Sequence, residues 1–233
     1  MKLSALCKIR KRLKQLVKDL GFVNAMLYLA NRSVAVFSKH FGINKYYFVA
    51  QLINGNPLLP ENRGKLLRVV ELPLNEIHPC PRPSNVIKDR YMQGAVCLAA
   101  YKANEFAGCL WYAKHRFRED EVRCIYEFDS FQSVWDFDVY VEPKFRLSPV
   151  FLKLWDYASA KLLNEGYSWS FSRISAFNAM SLGSHKRMGA RIVGWAVFFQ
   201  VGTVQLSVSS LRPFLYVSFS EASYPVFKLK SPK

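Results

Sequence analysis

Apolar residues recur at helical spacing over the first twenty positions. Leu6, Ile9, Leu13, Leu16, Val17 and Leu20 make a stripe, and Lys8, Arg10, Lys11, Arg12, Lys14 and Lys18 fill the other faces. The pattern predicts a basic amphipathic helix, which suits a membrane surface, a docking partner or the helix's own domain equally well. A second helix is expected from about Phe22 to Lys39. Gly42 ends it, and Asn54-Gly55-Asn56-Pro57 marks a loop. Lys65 to Leu72 reads as a strand. Four prolines, at 73, 79, 81 and 83, then make the chain irregular apart from a short helix near 84–92.

Short apolar runs bounded by turn residues follow. Ala95 to Tyr101 and Phe106 to Ala113 flank Lys102-Ala103-Asn104-Glu105 as a hairpin, and Arg116 to Glu121 is the next turn. Val122 to Phe128 and Val134 to Val141 are strands, the second alternating so that Asp136 and Asp138 fall on one face. Ser148-Pro149 reads as a helix start with Ser at the cap, and that helix stops at Gly166. Ser168 to Ile174 is a strand and Ala179 to Met188 a helix ended by Gly189. Arg191 to Gln200 and Val204 to Ser210 are a strand pair. This order implies an α/β fold, a mixed and largely antiparallel twisted sheet flanked by helices. Residues 1–60 are expected to form a basic helical extension and residues 61–233 the main domain.

Charge sharpens this division. The chain of 233 residues carries a net +16. Residues 1–60 hold ten Lys/Arg against one acid and residues 143–233 twelve against three, whereas residues 61–142 hold eleven against thirteen. Basic ends around a near-neutral middle favour anionic partners, whether nucleic acid, anionic lipid or cofactor phosphates. No nucleic-acid motif accompanies the charge, so no specific nucleic-acid partner is expected. Leu20 to Phe37 contains Asn24, Asn31 and Arg32, which argues against a membrane span, and the start has no cleavage signature of a secreted protein. The five cysteines, at 7, 80, 97, 109 and 124, show no C-x-x-C spacing and read as buried thiols in a reduced, cytoplasmic compartment. His40, His78 and His115 are scattered, and His78-Pro79-Cys80 is too short for a zinc site, so no metal is expected.

One segment carries more specific information. Asn178, Ser181, His185 and Gly189 stand at four positions of a signature in the GNAT acetyltransferases. Phe137 to Glu142, Pro143 and Arg146 resemble that family's central strand and the start of its pyrophosphate loop. The resemblance covers about residues 94–210. It implies a GNAT-like fold and an acyltransferase, most simply an N-acetyltransferase, that moves an acyl group from acetyl-CoA or another acyl-CoA to a small-molecule or peptide amine. It further implies that Val139, Tyr140, Val141, Lys144, Arg146, Ser148, Val150, Asn178 and Ser181 hold the cofactor. His185 falls at the position of the acid that protonates the leaving thiolate, and Asp136, Asp138 and Glu127 are the carboxylates available as base.

The residues themselves admit simpler roles. Asn178 suits a helix cap, Ser181 a small packing position and His185 a solvent-facing helix position, and either aspartate suits an ion pair with Arg123, Arg173 or another nearby cation. Pro149 and Phe151 replace small residues of the family's loop, and proline lacks an N–H donor. Two readings therefore stand: an acyltransferase held near an anionic inner-membrane face by residues 1–20, and an inactive GNAT-like domain that binds a membrane or a partner.

Overall fold

The computed structural model describes residues 2–37, 41–73, 79–128 and 131–232. In chain order the elements are α1 (Lys2–Leu20), α2 (Phe22–Phe37), β1 (Phe41–Leu52), β2 (Leu67–Leu72), α3 (Ser84–Met92), β3 (Ala95–Lys102), β4 (Glu105–Ala113), β5 (Phe117–Arg118), β6 (Ile125–Glu127) and β7 (Ser133–Val141). After β7 come α4 (Val150–Asn164), β8 (Trp169–Ser175), α5 (Ala179–Arg187), β9 (Arg191–Val201), β10 (Val204–Ser209), β11 (Leu215–Ser218) and β12 (Val226–Lys228). The expected mixed α/β class holds, with a large, mostly antiparallel twisted sheet flanked by helices and two helices at the N-terminus. The chain divides into two compact units: residues 1–49, 121–125 and 173–228, and residues 50–120, 126–172 and 229–233.

The second unit is built on the strand order β8-β7-β4-β3-β2. Its ladders are antiparallel except β7 with β8, which run parallel over three pairs, Ser133–Trp135 against Trp169–Phe171. β7 continues six residues past the end of that ladder. The core is aromatic on one face. Trp135 stacks on Tyr126 at 3.9 Å and Phe137 on Phe117 at 4.1 Å, while Trp111 and Phe137 face each other across β4 and β7. Each such side chain, nearly or fully removed from water, contributes about 1.5–3 kcal/mol. α4 covers the other face through Val150, Leu154, Ala158 and Leu162, an i, i+4, i+8, i+12 stripe. Its start differs from expectation: Pro149 stands at the cap with no side-chain cap bond. Ser148 instead donates to the Phe145 carbonyl at 2.6 Å.

In the first unit the strands run β11-β10-β9-β1, with the end of β8 beside β1. β9 and β10 form a six-pair hairpin that turns at Gly202, where φ is +58°. The strand β1 fills the stretch between the expected helix and the loop at 54–57, for which no element was expected; the expected helix end at 38–39, and His40 after it, lie outside the described residues. Two asparagines of α2 tie it down. Asn24 donates to the Leu20 carbonyl and to the Tyr47 hydroxyl, and Asn31 accepts from the Ile43 N–H at 2.9 Å. Among the described residues no helix is long and apolar enough to cross a membrane. Two further strands, β11 and β12, close this unit's sequence and were not expected.

Candidate active site

The β4–β7 ladder sets the local geometry of the second unit. Trp111 pairs with Phe137 and Cys109 with Tyr140, so Asp138 and Val139 together oppose Leu110. This is a β-bulge, and Asp138 takes the left-handed conformation it requires, with φ of +52°. Aspartate tolerates that region better than most side chains, yet the conformation still costs about 1 kcal/mol or more. Two guanidiniums hold it. Arg82 Nε donates to Asp138 Oδ2 at 2.7 Å and its Nη2 to Oδ1, and Arg90 Nη1 donates to Oδ2 at 2.6 Å. Arg90, only 3% exposed, also grips Asp120 through Nε and Nη2 and lies over the Trp111 and Phe137 rings. Burial pushes the Asp138 carboxyl upward, but the bonds from Arg82 and the charge of Arg90 outweigh it and hold the group below its ordinary range.

Asp136 differs in every respect. It pairs across β4 with Tyr112, and Ser170 Oγ donates to its Oδ2 at 2.6 Å. Burial at 3% exposure raises its pKa to about 7, opposed by hydrogen bonds from Ser170 and Ser172. The expectation that the two aspartates share a face is therefore corrected. The bulge puts Asp138 on the Trp111–Phe137 side with Arg90, and desolvation alone raises Asp136. The ion pair expected for an aspartate is made by Asp138, with Arg82 and Arg90 as the cations, while Arg173 pairs with Glu121 at 3.0 Å and the Arg123 N–H donates to Gln205 Oε1 at 2.9 Å. Glu127 stands 3.8 Å from Arg116 at the end of β6.

Beyond the bulge, Val139, Tyr140 and Val141 are half-buried, and Tyr140 stacks on Phe106. Gly108 faces Val141 so closely that a Cβ there would collide with the Tyr140 carbonyl, which makes glycine the residue that lets β4 approach this stretch. A 3₁₀ turn, Pro143–Phe145, leads to α4. Lys144 pairs with Glu105, while Arg146 is exposed. The Val150 N–H reaches Ser148 Oγ at 3.5 Å. Beside this start lies a cavity of about 240 Å³ lined by Asn62, Lys65, Lys102, Ser148 and Pro149 among others.

In the first unit Asn178 caps α5, accepting from the Ser181 N–H at 3.0 Å, and Gly189 ends the helix at φ of +90°. His185 is 7% exposed, which overturns the alternative of a solvent-facing position. Burial lowers its pKa to about 4, and at neutral pH the ring is uncharged.

The cysteines also depart from scattered buried thiols. Cys97 and Cys109 are diagonal neighbours on the Trp111 side of β3 and β4. Cys80 brings its sulfur into contact with that of Cys109 and to 3.8 Å from that of Cys97. These three are the metal-ligating types that converge among the described residues. Cys124 is buried and Cys7 exposed. His78 lies outside the described residues, and His115 is exposed on the loop after β4.

Sequence reasoning missed Arg82, Arg90, Ser170, Ser172 and Gly108. Arg90 had a legible signal, since it follows buried Ile87 by three positions on a short helix and so shares its inward face.

No family model and no curated protein matches the chain. Among solved structures it is similar to a functionally unknown conserved protein of Staphylococcus epidermidis, at 11% identity and a TM-score of 0.49, over 73% of this chain and 66% of that one. It is similar also to a tandem GNAT protein from the clavulanic acid biosynthesis pathway, at 11% identity and a TM-score of 0.46, over 73% and 57%. A third is an aminoglycoside acetyltransferase from an uncultured soil metagenomic sample, at 12% identity and a TM-score of 0.38, over 53% and 87%. The chain thus spans just under two-thirds of the staphylococcal protein and less of the tandem one.

Proposed function

We propose that this chain is an acyltransferase that takes its acyl group from coenzyme A and delivers it to an amine. One observation carries the reading: the bulge at Asp138–Val139 ends in half-exposed strand, which runs directly into a cationic turn and a helix start. Backbone beyond such a bulge, past the end of the β8 ladder, supplies N–H groups able to polarise a thioester carbonyl. The start of α4 supplies positive potential for a pyrophosphate, with Lys65 and Lys102 in the cavity beside it and exposed Arg146 on the preceding turn as cations, and Lys144 there once it leaves Glu105. Pro149 removes one donor there, so the N–H groups available begin at Val150. Asp136, with a pKa of about 7, has the proton affinity a general base needs at neutral pH, whereas Asp138 is held ionised by its two arginines. His185 enters through its place in the signature and, being neutral, would give a hydrogen bond rather than an imidazolium proton to a leaving thiolate.

The uncapped proline at α4 also supports a second reading, a domain of this shape that has lost its cofactor. Isothermal titration with acetyl-CoA and longer acyl-CoAs separates the two. Measurable binding that Arg146→Ala weakens about tenfold or more supports the transferase. No heat with any acyl-CoA supports the inactive domain, and binding indifferent to Arg146→Ala moves the pyrophosphate elsewhere.

A further inference from the structure

The apolar stripe on α1 is not consumed by packing. Ile9, Leu13 and Val17 follow one another at four-residue intervals and are 54%, 42% and 39% exposed. Leu16 and Leu20, within the same arc, are half-buried, and α1 contacts α2 within the first unit. Placed at the helical period, these five apolar residues occupy an arc of about 100°. Arg10 borders the arc on one side and Arg12 on the other, and Lys8, Lys11, Lys14 and Lys18 complete the polar face with Gln15 and Asp19. Past the Gly21 turn the exposed apolar surface resumes with Phe22, Val23 and Met26.

We infer that α1 is a seat for an anionic lipid bilayer, lying in the plane of the headgroups with Ile9, Leu13 and Val17 inserted. Seven Lys/Arg against one acid in the first twenty residues make the occupant anionic. An apolar stripe edged by cations matches the boundary between headgroups and acyl chains, where both parts are satisfied at once. A nucleic acid would satisfy the cations but leave the stripe in water. A folded partner would satisfy the stripe without needing cations on both its borders. Binding then has two components, one screened by salt within about 8–10 Å and one that salt leaves alone. The inference is independent of acyl transfer and stands or falls by itself.

Full-length protein is co-sedimented with vesicles of phosphatidylglycerol and phosphatidylcholine, and with phosphatidylcholine alone, at low and high salt. The expected result is strong binding to the anionic vesicles at low salt, a weaker residue at high salt, and slight binding to phosphatidylcholine. Ile9→Asn/Leu13→Asn/Val17→Asn, all at exposed positions, should abolish the residue that survives high salt. Arg10→Glu/Arg12→Glu/Lys14→Glu should weaken low-salt binding at least a hundredfold, at roughly fivefold for each basic residue lost and more for reversal. Circular dichroism and size-exclusion chromatography confirm that each variant keeps its fold. Sedimentation unchanged in both variants overturns the inference. So does a chain that binds single-stranded DNA but no vesicle, or one that self-associates through the stripe and leaves vesicles free.

Discussion

The two halves of β7 place carboxylates two residues apart in opposite states. Before the bulge, Asp136 sits in a dry layer with two serine hydroxyls as its polar company, and the environment asks it to keep its proton. At the bulge, Asp138 is less deeply buried, with 11% of its side chain exposed, and the guanidiniums of Arg82 and Arg90 keep it charged against the burial it does have. Burial raises both carboxyls, so burial alone does not decide ionisation here. The charge of the neighbours does, and one inserted residue decides which neighbours each carboxylate meets.

The largest expected effect follows from breaking the first half. If Asp136 is the base, Asp136→Asn lowers kcat/KM by about 10²–10⁴ while acyl-CoA affinity stays put. Unchanged turnover assigns the residue to structure and leaves Glu127 to be tested. Stability should move the other way. Asp136 keeps its proton to about pH 7 when folded and loses it near 3.8 when unfolded, so folding loses stability as pH rises through that window. The Asn variant escapes this loss, gaining up to about 4 kcal/mol at pH 8 and little at pH 4, as read by urea unfolding. His185 acts with the opposite sign: its folded pKa of about 4 lies below the ordinary 6.5, so stability falls as pH drops from 6.5 to 4. The two slopes oppose each other in the native chain, and Asp136→Asn should expose the histidine's slope.

Breaking the second half is next in size. Arg90→Met strands Asp138 and Asp120 without their shared partner and should cost about 3–5 kcal/mol at pH 7. Adding Asp138→Asn to that variant should return part of the loss, and a double variant no more stable than Arg90→Met would deny the coupling. In the other unit, His185→Phe should cut kcat about tenfold with acyl-CoA affinity unchanged, and full turnover would make the residue structural. Arg82→Ala should be mildest, about 1 kcal/mol or less, because its side chain is 39% exposed and water takes over part of its role.

These contrasts show why some features were legible in the sequence and others were not. The hairpin of β3 and β4, the helices α3, α4 and α5, and the cap at Asn178 were readable because local spacing and turn residues specify them. β1 was not: Gly42, Asn44 and Lys45 break its alternation, and its apolar run Tyr46–Ala50 is buried on both faces and so lacks a strand's period. The bulge was not legible either, since Asp136-Phe137-Asp138 reads as plain alternation until the register against β4 is known. The partners of Asp138 lie 48 and 56 residues away in sequence, one of them in the proline-rich stretch read as irregular. A pattern confined to one strand carries no information about them.

The distribution of the cysteines has a practical consequence for spectroscopy. Cys7 is exposed, while Cys97 and Cys124 are buried and Cys80 and Cys109 have their sulfurs together in the core. Thiolates, not thiols, react with maleimides, and burial pushes the Cys97 thiol upward, so the folded chain should take a dye at α1 before anywhere else. At the helical period Cys7 falls about 160° around α1 from Ile9, on the polar side. A fluorophore there would ride at the headgroup level without occupying the inserted stripe. The unmutated protein thus comes with its own reporter for the depth and angle at which the helix meets a surface.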